Sequence, residues 1–130
     1  MTGTGNDHRI GIGTDIESVR RFVKLPHEAF RVYEKIFTES EIACCLAKHS
    51  PAQHFAARFA GKEAVIKALA DLGAAPAGYT EIEIENTPDG VPKAILKDPK
   101  YSNIQVNISL THGAGVAMGF AVARILDHDD

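Results

Sequence analysis

From Ala52 to Leu72 no proline interrupts a helical run, and the small residues within it fall into line. Pro51 stands in front, where a helix's first turn needs no amide hydrogen from it, while Gly73 and Pro76 close the run. Ala57, Gly61, Ala64 and Ala68 recur at i, i+4, i+7 and i+11, a thin stripe against which another backbone can pack closely. Phe55, Phe59, Ile66 and Leu69 supply the larger core contacts. A helix of this kind leaves little freedom to the rest of a 130-residue chain.

The remaining segments read mostly as strands. Arg9 to Ile16 alternates apolar and small residues, and the stretch after it winds into a helix, so Asp15 is expected at the join. Thr38-Glu-Ser-Glu41 matches a capping box, predicting a second helix from near Glu39 through Lys48. Tyr79 to Glu85 reads as a strand with Ile82 and Ile84 on one face, Asn86 to Gly90 as a turn, and Val91 to Leu96 as the antiparallel return. Ile104, Val106, Ile108 and Leu110 alternate with polar residues up to a turn at Thr111 to Gly115, and Val116 to Ile125 pairs back. The order predicts an α+β fold, a single domain over 9–126 with a mostly antiparallel sheet against a long central helix. Residues 1–8 and 127–130 are expected to be flexible.

Charge and cysteine usage narrow the classes. A net charge of -3 argues against a nucleic-acid binder, yet Arg20, Arg21, Lys24, Arg31 and Lys35 outnumber Glu28 and Glu34 in one segment, which suits either a solvated helix face or an acidic protein partner. Adjacent Cys44 and Cys45 do not bridge readily, which fits a reducing cytoplasm. The amino terminus lacks the apolar core of a signal peptide, and Gly113 to Ala123 is too short to cross a bilayer, so no membrane role is expected.

Each chemical signal has an ordinary alternative. Gly11-Ile-Gly-Thr-Asp lacks the third glycine of a dinucleotide loop, since Ile16 takes that place. Asp15 is a helix cap or a metal ligand. Glu63 and Lys67, one turn apart, are a surface ion pair or part of a site for a metal ion and a phosphate. His112 is a polar turn residue or a ligand contact, and His49 with His54 have the wrong interval for zinc on one face.

Taken together these blocks carry a resemblance. Gly-Ile-Gly-Thr-Asp15-Ile, Arg58-Phe-Ala-Gly-Lys62-Glu63-Ala-Val-Ile-Lys67-Ala and Ile108-Ser-Leu-Thr-His112 resemble the 4′-phosphopantetheinyl transferases, with the closest likeness to the short holo-acyl-carrier-protein synthases. The likeness extends over roughly residues 9 to 126 and includes Phe37-Thr-Glu-Ser-Glu41 and Asp89-Gly-Val-Pro92.

The resemblance implies transfer of 4′-phosphopantetheine from coenzyme A to a serine of an acidic apo acyl carrier protein. By the same token Asp15 and Glu63 are expected to ligate Mg²⁺, Lys67 to offset phosphate charge, and Lys62, Arg58 and His112 to contact the coenzyme. The serine proton is expected to pass to Glu63 or to a water polarised by the cation. Arg20, Arg21 and Lys24 are expected on a carrier-docking face at the start of a long helix. A homotrimer with clefts between subunits, in the cytoplasm, is implied as well. Gly61 stands where the family commonly has alanine, and the run after His112 lacks the family's polar residues and tyrosine. A non-catalytic carrier-binding or coenzyme-binding module and a small metal-dependent phosphohydrolase are the competing readings.

Overall fold

The computed structural model of the chain describes residues 9–23 and 30–126. Lys24 and the two terminal segments expected to be flexible lie outside the described residues. Among the described residues five strands and three α-helices follow in order: β1 (Ile10–Ser18), α1 (Phe30–Ile36), α2 (Glu39–Leu46), α3 (Pro51–Leu72), β2 (Ile82–Asn86), β3 (Pro92–Leu96), β4 (Ile104–Gly113) and β5 (Val116–Ile125). The antiparallel sheet runs β1-β5-β4, and β2 with β3 forms a separate antiparallel hairpin. The expected α+β architecture is present, with α3 laid across one face of the larger sheet.

Helix α3 keeps its predicted limits because Pro51 fits the first turn and Gly73, at φ 82°, adopts the left-handed cap. Within its small stripe Ala64 and Ala68 meet strand backbone, as the spacing required. A Cβ on Gly13 would collide with the Ala64 carbonyl and lie 2.7 Å from the Ala68 nitrogen, and one on Gly119 would lie 2.5 Å from the Ala60 carbonyl oxygen. Strand backbone therefore touches helix backbone, with no side chains between them. Gly61 faces the other way: an alanine methyl there would come within 2.8 Å of Ile84 and 2.9 Å of Leu110.

The large apolar residues of β1 consequently point away from the helix. Gly11 and Gly13 are buried, whereas Ile12 is 56% and Ile16 59% exposed. The core instead divides between an aromatic half, where Phe22, Tyr33, Phe37, Phe55 and Phe59 surround the start of α3, and an aliphatic half around Val65, Leu69, Leu72 and Ile82. Edge-to-face pairs such as Tyr33 with Phe55, at 4.9 Å between centroids, add order-of-magnitude contributions of about 1 kcal/mol each.

Several local expectations change. β1 continues to Ser18, so Asp15 lies inside a strand and the cap is Ser18, whose hydroxyl accepts from Arg20 N. Arg20 and Arg21 sit on a single 3-10 turn, Val19–Phe22, in place of the start of a long helix. The capping box at Thr38 and Glu41 forms, but α2 ends at Leu46. α1 is a helix that the sequence reading did not include, and Tyr79 begins a 3-10 turn ahead of β2. His112 lies in β4 opposite Ala117, because the turn needs only Ala114 and Gly115, with φ of 55° and 80°.

Candidate active site

Asp15 pairs in the sheet with Gly119, whose backbone rests on the Ala60–Gly61 turn of α3. That contact sets the inner edge of β1 beside the helical turn carrying Glu63. Lys67, one turn on, reaches back to β1: its Nζ is 3.2 Å from Asp15 Oδ1 and donates to the Thr14 carbonyl at 3.0 Å. The simple ion pair of Glu63 with Lys67 is thus replaced by a cross-element contact. Glu63 instead accepts at Oε2 from the Tyr79 hydroxyl, at 2.9 Å.

Strand periodicity turns Glu17 to the same side as Asp15. Burial, and then the neighbouring Asp15 carboxylate, push the Glu17 carboxyl up to about 7, although Arg21 opposes the shift from 2.5 Å. Asp15 Oδ2 is buried and has no hydrogen-bond partner. Burial raises the Tyr79 phenol first, and the negative charges of Glu63, Glu17 and Asp15 raise it further. A crowded set of hard oxygen donors with an unpartnered buried oxygen fits a small divalent cation. Among the described residues no three of His, Cys, Asp and Glu are arranged to hold a metal unaided, so oxygen from substrate or water would have to complete the shell.

A second feature lies towards the amino-terminal half of α3. His54, Ala57 and Arg58 face Asn86, Gly90 and Pro92 of the hairpin and Leu110, Thr111 and His112 of β4 around a cavity of about 190 Å³. Arg58 is buried, donates to Cys44 Sγ at 3.4 Å, and its Nε has no partner. The His54 and His112 rings are 6.2 Å apart. Burial holds His54 below its ordinary value, and Arg58, Lys48 and His112 add to the effect. A buried guanidinium with no carboxylate partner among the described residues, beside two imidazoles, favours an anion. The roomier hollow of about 470 Å³ between α1 and α2 contains none of these groups.

Lys62 does not belong to either cluster. Its side chain is fully buried, with Nζ 2.7 Å from Glu41 Oε1 and donating to the carbonyls of Tyr79 at 2.8 Å and Ile82 at 2.5 Å. All three ammonium hydrogens are used, so the expected coenzyme contact is corrected to an internal anchor. Burial lowers its basicity, with Glu41 offsetting part of that effect. Neither cysteine offers a nucleophile of evident use: Cys45 is buried and pushed up to about 12, and Cys44 faces Arg58.

The profile of the 4′-phosphopantetheinyl transferase superfamily matches residues 11–129. The chain belongs to that superfamily. It is 40% identical over 118 residues to the holo-[acyl-carrier-protein] synthase of Moorella thermoacetica, covering 86% of this chain and 91% of the relative. The enzyme of the same name from Thermodesulfovibrio yellowstonii is 39% identical over 115 residues, covering 86% and 96%. Among solved structures, the Helicobacter pylori holo-[acyl-carrier-protein] synthase in complex with coenzyme A superimposes with a TM-score of 0.71 at 31% identity, covering 88% of this chain and 98% of that one.

Three residues of these two clusters escaped sequence reasoning. Glu17 lies two positions from Asp15 on one strand face, a signal that was available once β1 extended past Ile16. His54 is one helical turn before Arg58, but only the hairpin and β4 give it a cavity to line. Tyr79 lies far from Glu63 in sequence, and nothing local announces their contact.

Proposed function

We propose that this chain transfers 4′-phosphopantetheine from coenzyme A to a serine hydroxyl of an apo acyl carrier protein, releasing adenosine 3′,5′-bisphosphate. The observation that carries the reading is the Lys67 ammonium 3.2 Å from Asp15 on β1, with Glu63 one turn before Lys67 on α3 and the Arg58 and His112 cavity further back along the same helix. Arg58 precedes Glu63 by five positions, about 7–8 Å along the helix axis, so one extended phosphate-bearing ligand can address both.

In the reaction the serine oxygen bonds to the β-phosphorus and the bond from that phosphorus to the bridging oxygen breaks, with the electron pair leaving on the bisphosphate. The serine proton passes to a carboxylate of the cluster. Asp15 and Glu63 would hold one Mg²⁺, which would supply neutralisation of the diphosphate charge. Lys67 offsets charge on the transferring or leaving phosphate, and Arg58 with His112 and His54 holds the remaining phosphate of the coenzyme. Positioning and charge compensation are what such phosphoryl chemistry requires.

The exposed Arg20 and Arg21 serve as a docking edge for an acidic carrier, with Lys24 following them in sequence. Arg21 also stacks over Phe22 and Phe59, which ties that edge to the aromatic core. The outer face of β1 and β5, with Ile10, Ile12, Ile16, Met118 and Phe120 exposed, supports assembly into a trimer through this face. Thr14, Asp15, Ile16, Lys67 and Met118 border a hollow of about 370 Å³ at its rim, where a second subunit would close the site. No helix among the described residues is long and apolar enough to cross a membrane.

Incubation with coenzyme A, Mg²⁺ and apo carrier tests the reading. The expected result is a carrier heavier by one phosphopantetheine, with Glu63→Gln slower by about 100-fold or more for the loss of a charged group acting in the transition state. No mass gain with wild-type protein overturns it in favour of a binding module. Phosphate released from coenzyme A without carrier overturns it in favour of a hydrolase.

A further inference from the structure

We propose that Tyr79 is a positioning residue for Glu63, fixing the carboxylate that the proposed transfer reaction uses; the inference rests on that reading of Glu63. Phe59, Lys62 and Glu63 are spaced i, i+3 and i+4, so Lys62 and Glu63 flank Phe59 on either side around α3. Each holds a different part of the same tyrosine. The Phe59 ring lies 5.5 Å from the Tyr79 ring, Lys62 Nζ donates to the Tyr79 carbonyl at 2.8 Å, and the Tyr79 hydroxyl donates to Glu63 Oε2 at 2.9 Å. A tyrosine gripped at its ring and backbone has little freedom left at its hydroxyl.

The grip extends into the fold. Lys62 is itself fixed by Glu41, whose other oxygen accepts from Ile84 N at 2.7 Å, and Glu41 Oε1 accepts from Thr38 N at 2.8 Å. The 3-10 turn carrying Tyr79 is closed by Gly78 N donating to Glu81 Oε1 at 2.8 Å. Glu63 Oε2 is thereby addressed from a rigid neighbour, while its long side chain would otherwise sample several rotamers. A group that hydrogen-bonds a metal-binding carboxylate fixes its orientation, and loss of such a partner costs about 10–100-fold in metal affinity.

Tyr79→Phe removes only the hydroxyl, leaving the ring on Phe59 and the carbonyl on Lys62. The experiment compares wild type, Tyr79→Phe and Glu63→Gln by titration with Mn²⁺ in the presence of coenzyme A, with free Mn²⁺ read by electron paramagnetic resonance. Tyr79→Phe is expected to weaken Mn²⁺ binding about tenfold, with an unchanged melting temperature and an unchanged KM for coenzyme A. Glu63→Gln is expected to weaken it further. Mn²⁺ binding by Tyr79→Phe equal to wild type, with Glu63→Gln impaired, overturns the role of Tyr79 and leaves the proposed function standing. A parallel fall in melting temperature overturns it too, since the tyrosine would then be structural. Glu63→Gln binding Mn²⁺ as wild type does would remove the reading of Glu63 and the positioning role together.

Discussion

The two faces of the three-stranded sheet are built on opposite rules. On the inner face Gly11, Gly13 and Gly119 let strand backbone meet helix backbone, and any side chain would be an obstruction. On the outer face Ile12, Ile16, Met118 and Phe120 stand exposed, with Ile16 directly opposite Met118 across β1 and β5. The difference teaches that alternation identifies two faces without saying which one is the core. Here the small residues are inside because the partner is a helix of alanines and a glycine, and the apolar surplus is left for another surface to cover.

The most severe way to break this contrast is Gly13→Val. Its Cβ would enter the Ala64 carbonyl, where backbone on both sides has nowhere to yield, so a loss of about 4 kcal/mol or more is expected, read as a collapsed melting transition. A wild-type melt would mean that β1 does not lie against α3. The far side of the same helix is probed by Lys62→Met, which leaves the buried Glu41 carboxylate without its cation. Urea denaturation should show about 3–5 kcal/mol of destabilisation, and a change below 1 kcal/mol would mean the pair is not formed.

Glu17 sharpens the inner face through its pH dependence. Its folded pKa of about 7 lies above the ordinary 4.5, so the folded state holds the proton more tightly than the unfolded one. Stability from this group is therefore full below about pH 4.5 and falls as pH rises through 7. Without divalent cations, Glu17→Gln should gain on the order of 1–2 kcal/mol over wild type at pH 8 and nothing at pH 4.5. Equal melting curves at pH 8 would show that burial and the Asp15 carboxylate do not raise it in the folded state. On the outer face, Phe120→Lys should change the stability of the isolated subunit by only about 0.5 kcal/mol, yet light scattering should report a smaller particle. An unchanged particle mass would show that this face is not where subunits meet.

Much of the fold was legible locally. The Pro51 start, the Gly73 stop, the Thr38 capping box and the turn of the β2–β3 hairpin are chemistry between near neighbours and appear where expected, except that Asn86 closes β2 opposite Pro92 in place of opening the turn. The ends of elements were less legible, because β1 outruns its alternation by pairing with β5 as far as Ser18 opposite Val116. That pairing moved Asp15 from a cap to a strand interior. Lys62 shows a sharper limit: adjacent to Glu63 and embedded in the same motif, it turns about 100° away around the helix and becomes part of the core.

Residue order alone determined the long helix, its thin face, the antiparallel strands and the superfamily signature, since all of these rest on periodicities and contacts within a few positions. Only tertiary structure decided which face of the sheet is buried, that Lys67 serves Asp15, and that Tyr79 meets Glu63. Those outcomes depend on how far two elements distant in sequence approach one another. That distance was set by the absence of side chains at Gly11, Gly13 and Gly119.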